Sequence, residues 1–191
     1  MKRAVMAAAG LAALLAATGA PAFAQMSQNP TNQMNQPGQM MNGTAQANQP
    51  GGTESARSFV TDAIQGDMAE IQIGKLAQTK GATPGVRAYG ETLASDHTNA
   101  ERQAMTVANS MGLTPPSQPK PEAQRTYERL SKLSGRTFDR AFLRAMVEDH
   151  QKDIREFQAQ AKAGSAPAST LARQQLPTLE AHLKIAQSLE E

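Results

Sequence analysis

Hydrophobic residues recur every three or four positions from Ser58 to the end of the chain, which is the spacing of one face of an α-helix. Four long segments carry this pattern, approximately residues 58–80, 83–111, 137–163 and 169–189. The pattern gives no sign of the apolar–polar alternation typical of a half-buried strand. The sequence therefore predicts an all-α domain of four long helices, which is the composition of a four-helix bundle.

Helix boundaries are marked by residues with known preferences for helix ends. Thr83 followed by Pro84 is typical of an N-cap and first helical residue. Gly81 follows the first segment as a C-terminal cap, and Thr137 is predicted to cap the third long helix. Pro177 lies inside the last helix and predicts a kink there.

The connections between the helices predict their order in the bundle. The first two helices and the last two are joined by short turns, so each pair should form an antiparallel hairpin. The connector 112–136 is rich in proline and contains a short helix through Tyr127 and Leu130. Such a connector reaches about 60 Å, and a helix of this length needs only about 40 Å. We therefore expect a ferritin-like four-helix bundle with a long crossover that contains a short extra helix.

Residues 1–24 have the three parts of a secretory signal peptide. Lys2 and Arg3 form the basic region, and an Ala/Leu-rich apolar run from Ala4 to Ala17 follows. The triplet Ala22-Phe23-Ala24 predicts cleavage after Ala24. The apolar run is short for a transmembrane helix, and no second hydrophobic stretch follows. The sequence thus predicts an exported, periplasmic protein without a transmembrane segment in the mature chain.

Residues 25–56 differ in composition from the rest of the chain. They are rich in Gln, Asn, Met, Pro and Gly, and this composition favours a disordered tether because little apolar surface can be buried. The thioethers of Met26, Met34, Met40 and Met41 are possible Cu(I) ligands, but their irregular spacing favours a plain linker.

Composition excludes several classes of function. The chain has no Cys and no Trp, which excludes thiolate chemistry and makes a stacking surface for nucleic acid improbable. Lys2 and Arg3 account for the excess of 19 basic over 17 acidic residues, so the mature chain is formally neutral. We expect no nucleic-acid partner, and the sequence identifies no protein partner.

The three histidines carry the candidate chemistry. His97, His150 and His182 lie near the midpoints of their predicted helices, on or beside the apolar faces. Glu70 lies near the midpoint of the first helix. Aligned helices would bring these four side chains to one level of the bundle, where they can bind one divalent metal such as Zn, Fe or Mn.

Acidic residues accompany the histidines. Asp149 and Asp153 fall among the apolar residues of the third long helix, and a buried carboxylate requires neutralisation. Both are predicted to be additional ligands or outer partners of the metal. The alternative is a buried polar network that fixes the register of the helices without any metal.

The sequence does not determine which face of the first helix points into the bundle. One of its stripes contains Phe59, Ala63, Gly66, Glu70, Ile73 and Ala77. A second apolar stripe contains Val60, Ile64, Met68 and Ile71.

The motifs resemble those of a known family and occur in its order: Phe59–Ala77 with Gly66, Glu70 and Gly74; Asp96-His97; Leu133-Ser134-Gly135 with Phe138-Asp139; Asp149-His150; and Leu176-Pro177 with His182. Over residues 57–191 the chain resembles the bacterial family catalogued as domain of unknown function 4142. The resemblance implies a ferritin-like fold but no reaction. Some members carry the label "predicted outer membrane protein", against which the helical periodicity of this chain argues.

The sequence departs from the di-iron proteins of ferritin-like fold. Their Glu-x-x-His motif would need a glutamate three residues before a histidine, where this chain has Ala94, Val147 and Leu179. A single metal is therefore expected, with a role in metal handling or envelope stress tolerance. A non-catalytic structural or interaction module is the alternative. No nucleophile–base pairing or phosphate loop is visible, which favours a protein that is not an enzyme.

Overall fold

The structure, a computed structural model, describes residues 50–164 and 166–190. This part of the chain contains five helices and no strand, so the all-α prediction is confirmed. The helices are α1 (Pro50–Lys80), α2 (Pro84–Ser110), α3 (Pro121–Ser131), α4 (Gly135–Lys162) and α5 (Pro167–Glu190). The predicted signal peptide and residues 25–49 of the predicted tether lie outside the described residues.

Helix starts agree with the sequence in one case and differ in two. Thr83 caps α2 as predicted, because its hydroxyl accepts a hydrogen bond from the Val86 amide at 3.3 Å. The predicted cap at Thr137 is wrong, since α4 begins at Gly135 with Ser134 as the N-cap residue. Gly135 has a φ of 59°, a conformation that favours glycine and allows the chain to enter the helix two residues earlier.

Helix α1 begins at Pro50, eight residues before the predicted start. The last residues assigned to the tether by composition are therefore helical. Ala56 is buried in this extra part and packs with Val60 and Ile64 of α1 and with Ala104 and Ala108 of α2. Burial of a small side chain against the neighbouring helix is a tertiary effect that the composition of the tether does not reveal.

Contacts along the helices define their directions. Arg57, near the start of α1, donates a hydrogen bond to the carbonyl oxygen of Met111 at the end of α2. Asp67, further along α1, contacts His97 in the middle of α2, so the two helices are antiparallel. Helices α4 and α5 form a second antiparallel hairpin, closed by Gln160.

Helices α2 and α5, one from each hairpin, are also antiparallel. On α5, Gln175 contacts Ala100, and His182 contacts Asp96, so the numbering rises along α2 as it falls along α5. Phe59 stacks edge-on against Phe157, which places the start of α1 beside the end of α4. Helices α2 and α4 consequently run in the same direction, and the connector that contains α3 runs from one end of the bundle to the other.

Two glycines allow α1 and α2 to approach closely. A Cβ atom on Gly74 would lie 2.7 Å from the Gly90 carbonyl oxygen, and one on Gly90 would lie 2.6 Å from the Gly74 carbonyl oxygen. Any larger residue would force the helix backbones apart. This contact lies one turn from Glu70 and two turns from His97, and it holds the two side chains close together.

The turn between α1 and α2 is attached to α4 by a buried carboxylate. Asp139 accepts hydrogen bonds from the backbone amides of Ala82 at 2.8 Å and Thr83 at 3.1 Å.

None of the helices in the described part of the chain has the length and hydropathy needed to cross a membrane.

Candidate metal centre

Four polar side chains from the four long helices meet in the middle of the bundle. Glu70 of α1, His97 of α2, His150 of α4 and His182 of α5 are between 0 and 3% exposed. The imidazole rings lie 5.2–5.9 Å apart by their centroids. The structure thus brings together the four residues that the sequence placed at one level.

The histidines present a geometry that can hold a metal ion. One ring nitrogen from each of His97, His150 and His182 lies within 4.8 Å of the other two. His150 Nε2 and His182 Nδ1 are 3.3 Å apart. Two nitrogens bound to one tetrahedral metal at about 2.1 Å would be separated by roughly 3.4 Å, so this pair is already at ligand spacing.

The other nitrogen of each ring is bound to a hydrogen-bond acceptor. His97 Nδ1 lies 2.8 Å from Asp67 Oδ1, and His182 Nε2 lies 2.9 Å from Asp96 Oδ2. His150 Nδ1 lies 3.0 Å from the carbonyl oxygen of Met146. Because these acceptors carry no proton of their own, each ring donates its outer N–H. Ligand histidines in metalloproteins are held in this way.

This hydrogen bonding leaves lone pairs facing each other. With their outer nitrogens donating, neutral His150 and His182 both turn an unprotonated nitrogen inward, at a separation of 3.3 Å. Burial lowers the pKa of both histidines, which favours the neutral rings. The two lone pairs repel unless a positive charge, either a proton or a metal ion, lies between them.

Glu70 supplies negative charge to the same place. Its Oε2 lies 2.7 Å from His97 Nε2, and its Oε1 lies 3.2 Å from His150 Nδ1. Burial would raise the pKa of Glu70, but His150 and His97 lower it to about 2. Burial would likewise lower the pKa of His97, but Glu70 and Asp67 together raise it well above 6.5. Without metal, the site therefore holds an ion pair between Glu70 and a protonated His97.

The alignment of this ion pair is poor for a hydrogen bond. Glu70 Oε1 and His97 Nε2 are both buried and lack a hydrogen-bond partner in the described residues. His97 Nε2 is nevertheless 2.7 Å from the other carboxylate oxygen, Glu70 Oε2, so this contact is one of charge. Atoms in this state are available as ligands to a cation.

A cavity of about 300 Å³ lies beside the histidines. Asp67, Glu70 and His97 line it on one side, and Asp149 and Asp153 line it on the α4 side. Neither of these last two aspartates belongs to the three-nitrogen group. Their place is the cavity wall, and the prediction that they serve the metal as ligands or outer partners remains a prediction.

The aspartates of the cavity hold protons unusually well. Burial, and then the charge of Glu70, raises the pKa of Asp149 to about 7. Burial and the neighbouring Asp149 raise the pKa of Asp153 to about 8. Burial also raises the pKa of Asp67 to about 6, although its hydrogen bond to His97 opposes this.

The family of this chain is known from its sequence. A family model described as Domain of unknown function (DUF4142) matches residues 41–189. The chain belongs to the DUF4142 family. The resemblance seen in the sequence motifs is thereby confirmed, and no curated protein matches the chain.

Two solved structures share the fold of this DUF4142 chain. A DUF305 fragment from Deinococcus radiodurans is 19% identical, with a TM-score of 0.63, and the match covers 71% of this chain and 95% of the fragment. A second structure is a DUF305 protein from Streptomyces coelicolor, whose name proposes that it is secreted. It is 14% identical, with a TM-score of 0.60, and the match covers 71% of this chain and 91% of that protein. At these identities the likeness shows a common fold alone.

Sequence reasoning missed Asp67 and gave Asp96 no role in the site. Asp67 lies three residues before Glu70 on α1, and both are buried, so an acidic pair spaced i, i+3 was the available signal. Asp96 precedes His97 in the chain but binds His182 of another helix.

Helix α1 buries parts of both of its apolar stripes. Ala63, Glu70, Ile73 and Ala77 of one stripe are buried, as are Val60 and Ile64 of the other. Asp67 lies between the stripes, and neither of them predicted it.

Proposed function

We propose that this DUF4142 chain is an exported protein that binds one divalent transition-metal ion through His97, His150 and His182, with Glu70 as the fourth ligand. A single observation carries the proposal. All three histidines donate one ring N–H to a fixed acceptor, and one ring nitrogen from each of them lies within 4.8 Å of the other two. This arrangement leaves room for one positive charge, and a metal ion supplies it without protonating the ligands.

The donor set indicates the class of metal. Three imidazole nitrogens and one carboxylate oxygen suit Zn, Fe or Mn. Four ligands would equal the number that a tetrahedral zinc site takes, and a closed set of this kind is typical of non-catalytic sites. We therefore infer metal handling or envelope stress tolerance, without turnover.

The helix directions support a ferritin-like topology. Two antiparallel hairpins pack against each other, and the connector with α3 runs the length of the bundle, as such a topology requires. Ala94, Val147 and Leu179 stand where a di-iron protein would have the glutamates of its Glu-x-x-His motifs. A mononuclear histidine site is consistent with both facts.

The amino-terminal sequence supports export. Lys2, Arg3 and the apolar run that follows them have the form of a signal peptide, with cleavage after Ala24. The Streptomyces coelicolor neighbour bears a name that proposes secretion. We propose a periplasmic location for the mature chain.

Elemental analysis tests the proposal. The untagged mature protein, purified from periplasm without chelator, should contain close to one metal ion per chain. A His97→Gln/His150→Gln variant should lose it, while Glu91→Gln, an exposed change on α2, should retain it. Circular dichroism establishes whether the variant is folded, and His182→Gln alone serves if it is not. The absence of saturable Zn, Fe(II) or Mn(II) binding to the folded wild-type protein would contradict the proposal.

A second candidate function has an observation in its favour. The ion pair between Glu70 and protonated His97 neutralises the site without any metal. The four residues would then form a polar layer that fixes helix register in a structural or interaction module. Stability that is unaffected by chelator, together with loss of folding in His97→Leu, would favour this candidate.

A further inference from the structure

The four proposed metal ligands are closed off from solvent in this structure. Glu70, His97, His150 and His182 are at most 3% exposed. The atoms Glu70 Oε1 and His97 Nε2, which face the centre of the site, are fully buried. A cation can therefore reach these ligands only when part of the protein moves aside.

The cavity of about 300 Å³ lies between these ligands and the solvent. Glu70 and His97 belong to its inner wall, whereas the exposed side chains of Glu122, Lys152 and Glu156 belong to its outer wall. The cavity thus leads from the protein surface to two of the four ligands.

The side of the cavity formed by α2 and α5 is closed by a buried side chain. Gln175 of α5 lines the cavity and is 7% exposed. Its amide donates hydrogen bonds to the carbonyl oxygen of Ala100 at 3.1 Å and to Oε1 of Gln103 at 3.4 Å, both on α2. Buried hydrogen bonds between helices resist local opening.

The side formed by α1 and α4 is covered by residues 118–123, which we call the lid segment. Lys120, Glu122 and Ala123 of this segment line the cavity. None of residues 112–129, all of which the structure describes, is buried, and Leu130 is the next buried residue along α3. A stretch with so few buried contacts opens at low cost in free energy.

Two polar contacts in the described part of the chain fasten the lid segment to α1. Lys120 Nζ lies 2.7 Å from Asp62 Oδ1, and these side chains are 33% and 40% exposed. The amide of Gln65 donates a hydrogen bond to the carbonyl oxygen of Gln118 at 3.1 Å, and this contact is also exposed. Exposed ion pairs contribute little stability, so the lid segment is only weakly held in place.

We propose that residues 118–123 form a lid over the route by which the metal reaches and leaves the histidine site, with the ion pair between Lys120 and Asp62 as its latch. The inference rests on the proposed function and adds a control of rate to it. A lid of this kind changes the rates of loading and release by the same factor, and it leaves the dissociation constant unchanged.

A cross-link tests whether the lid must open. Because the chain has no cysteine, Asp62→Cys/Lys120→Cys provides two unique thiols. After zinc loading, one sample is joined with a short bismaleimide, and a second is capped at both thiols with N-ethylmaleimide. Zinc is then captured by a chromogenic chelator in excess, and we expect release from the cross-linked sample to be slower by about tenfold or more. Equal rates from the two samples, both folded by circular dichroism, would overturn the lid.

Removal of the latch should have the opposite effect. Asp62→Ala/Lys120→Ala leaves the net charge unchanged and should speed both zinc loading and zinc release by about two- to fivefold, the range that one exposed ion pair allows. The matched control is Lys152→Ala/Glu156→Ala, which removes another ion pair from the same cavity wall, within α4. This control should change neither rate, and an acceleration equal to that of the latch variant would contradict the proposal.

Two further results separate the lid from its alternatives. If Gln175→Ala speeds zinc release and the latch variant does not, the metal leaves between α2 and α5, and the lid is overturned. If the wild-type chain binds no zinc, the histidine proposal fails and the lid fails with it. Zinc that is bound by the histidines but released equally from the cross-linked and capped samples overturns the lid alone.

Discussion

The three histidines differ in the group that fixes each ring. Asp67 is buried and holds His97, and the carbonyl oxygen of Met146, inside α4, holds His150. Asp96 holds His182, but the side chain of Asp96 is 40% exposed to solvent. Water can replace an exposed partner more readily than a buried one, so Asp67 and Asp96 should contribute unequally to metal binding.

Replacement of the outer carboxylates should measure this difference. We expect Asp67→Asn to weaken zinc binding by about 10- to 100-fold, the usual effect of losing the outer partner of a ligand histidine, and Asp96→Asn to weaken it less. Competition titration against a chelator of known affinity gives both values, with Glu91→Gln as the control. Equal affinities in Asp67→Asn and the wild type would show that His97 is not a ligand.

At the residue scale, the sequence predicted the four side chains that converge better than it predicted their hydrogen-bond partners. His97, His150, His182 and Glu70 could be found because helix periodicity places each one on or near an apolar face. The partners Asp67 and Asp96 could not be assigned in the same way. Asp96 binds a histidine 86 positions away, and helix periodicity carries no information about which helices are neighbours.

At the scale of helices, the contact between α1 and α2 depends on two glycines. We expect Gly74→Ala and Gly90→Ala each to lower the free energy of unfolding by about 1–3 kcal/mol, because the added Cβ would meet a backbone carbonyl oxygen at 2.6–2.7 Å. Urea denaturation with chelator present measures this.

Gly66 offers the matched control for that experiment. It lies on α1, and a Cβ atom there meets nothing within 4 Å. Gly66→Ala should therefore raise stability by up to about 1 kcal/mol through helix propensity alone. Destabilisation by Gly66→Ala equal to that by Gly74→Ala would indicate a general cost of side chains on α1, contrary to the close-contact argument.

The Asp139 carboxylate joins a turn to a helix, and its loss should be purely structural. Asp139→Ala removes two hydrogen bonds from the amides of Ala82 and Thr83 to a buried charge. We expect the free energy of unfolding, measured by thermal denaturation, to fall by about 2–3 kcal/mol. The metal content should stay unchanged, since His150 lies three turns further along α4. The exposed neighbour Arg140→Ala is the control, and a loss of metal in Asp139→Ala would contradict this assignment.

Helix existence was predictable, but two helix starts were not. Thr83 and Pro84 marked the start of α2 because their local chemistry determines the cap. The start of α4 depends on the conformation of Gly135, and the start of α1 depends on burial of Ala56 against α2. A helix start that is determined by capping residues can therefore be predicted from the sequence, whereas one that depends on backbone conformation or on packing between helices cannot.

At the scale of the whole molecule, the length of the connector predicted the direction of α4 relative to α2. The cavity could not be predicted from the sequence, because its walls come from all four long helices and the connector. Periodicity placed Asp149 and Asp153 on the inner face of α4. Only the packed bundle shows that they line a polar cavity there.

The charges of this cavity should make the stability of the metal-free protein depend on pH. The pKa values of Asp149 and Asp153, about 7 and about 8 when folded, exceed the ordinary value of 3.8. The folded state then holds protons that the unfolded state has released, so stability falls as pH rises through these values. His97, with its raised pKa, acts in the same direction.

The lowered pKa values of His150 and His182 act in the opposite direction, but only below about pH 6.5, where the unfolded histidines become protonated. The window from pH 6.5 to 8 therefore isolates the aspartates and His97. With chelator present, we expect the free energy of unfolding to fall by about 2–4 kcal/mol across this window, a decrease of several degrees in Tm. Scanning calorimetry at constant ionic strength measures the change.

Two comparisons assign this slope to the cavity. Asp149→Asn/Asp153→Asn should flatten it, because neither amide titrates, while Glu148→Gln should leave it unchanged. Saturating zinc should reverse the sign of the slope, since protons compete with the metal for the histidines and this competition weakens as pH rises. A Tm of the metal-free protein that rises from pH 6.5 to 8 would show that the cavity carboxylates are already ionised in the folded chain, and the argument from their burial would then be wrong.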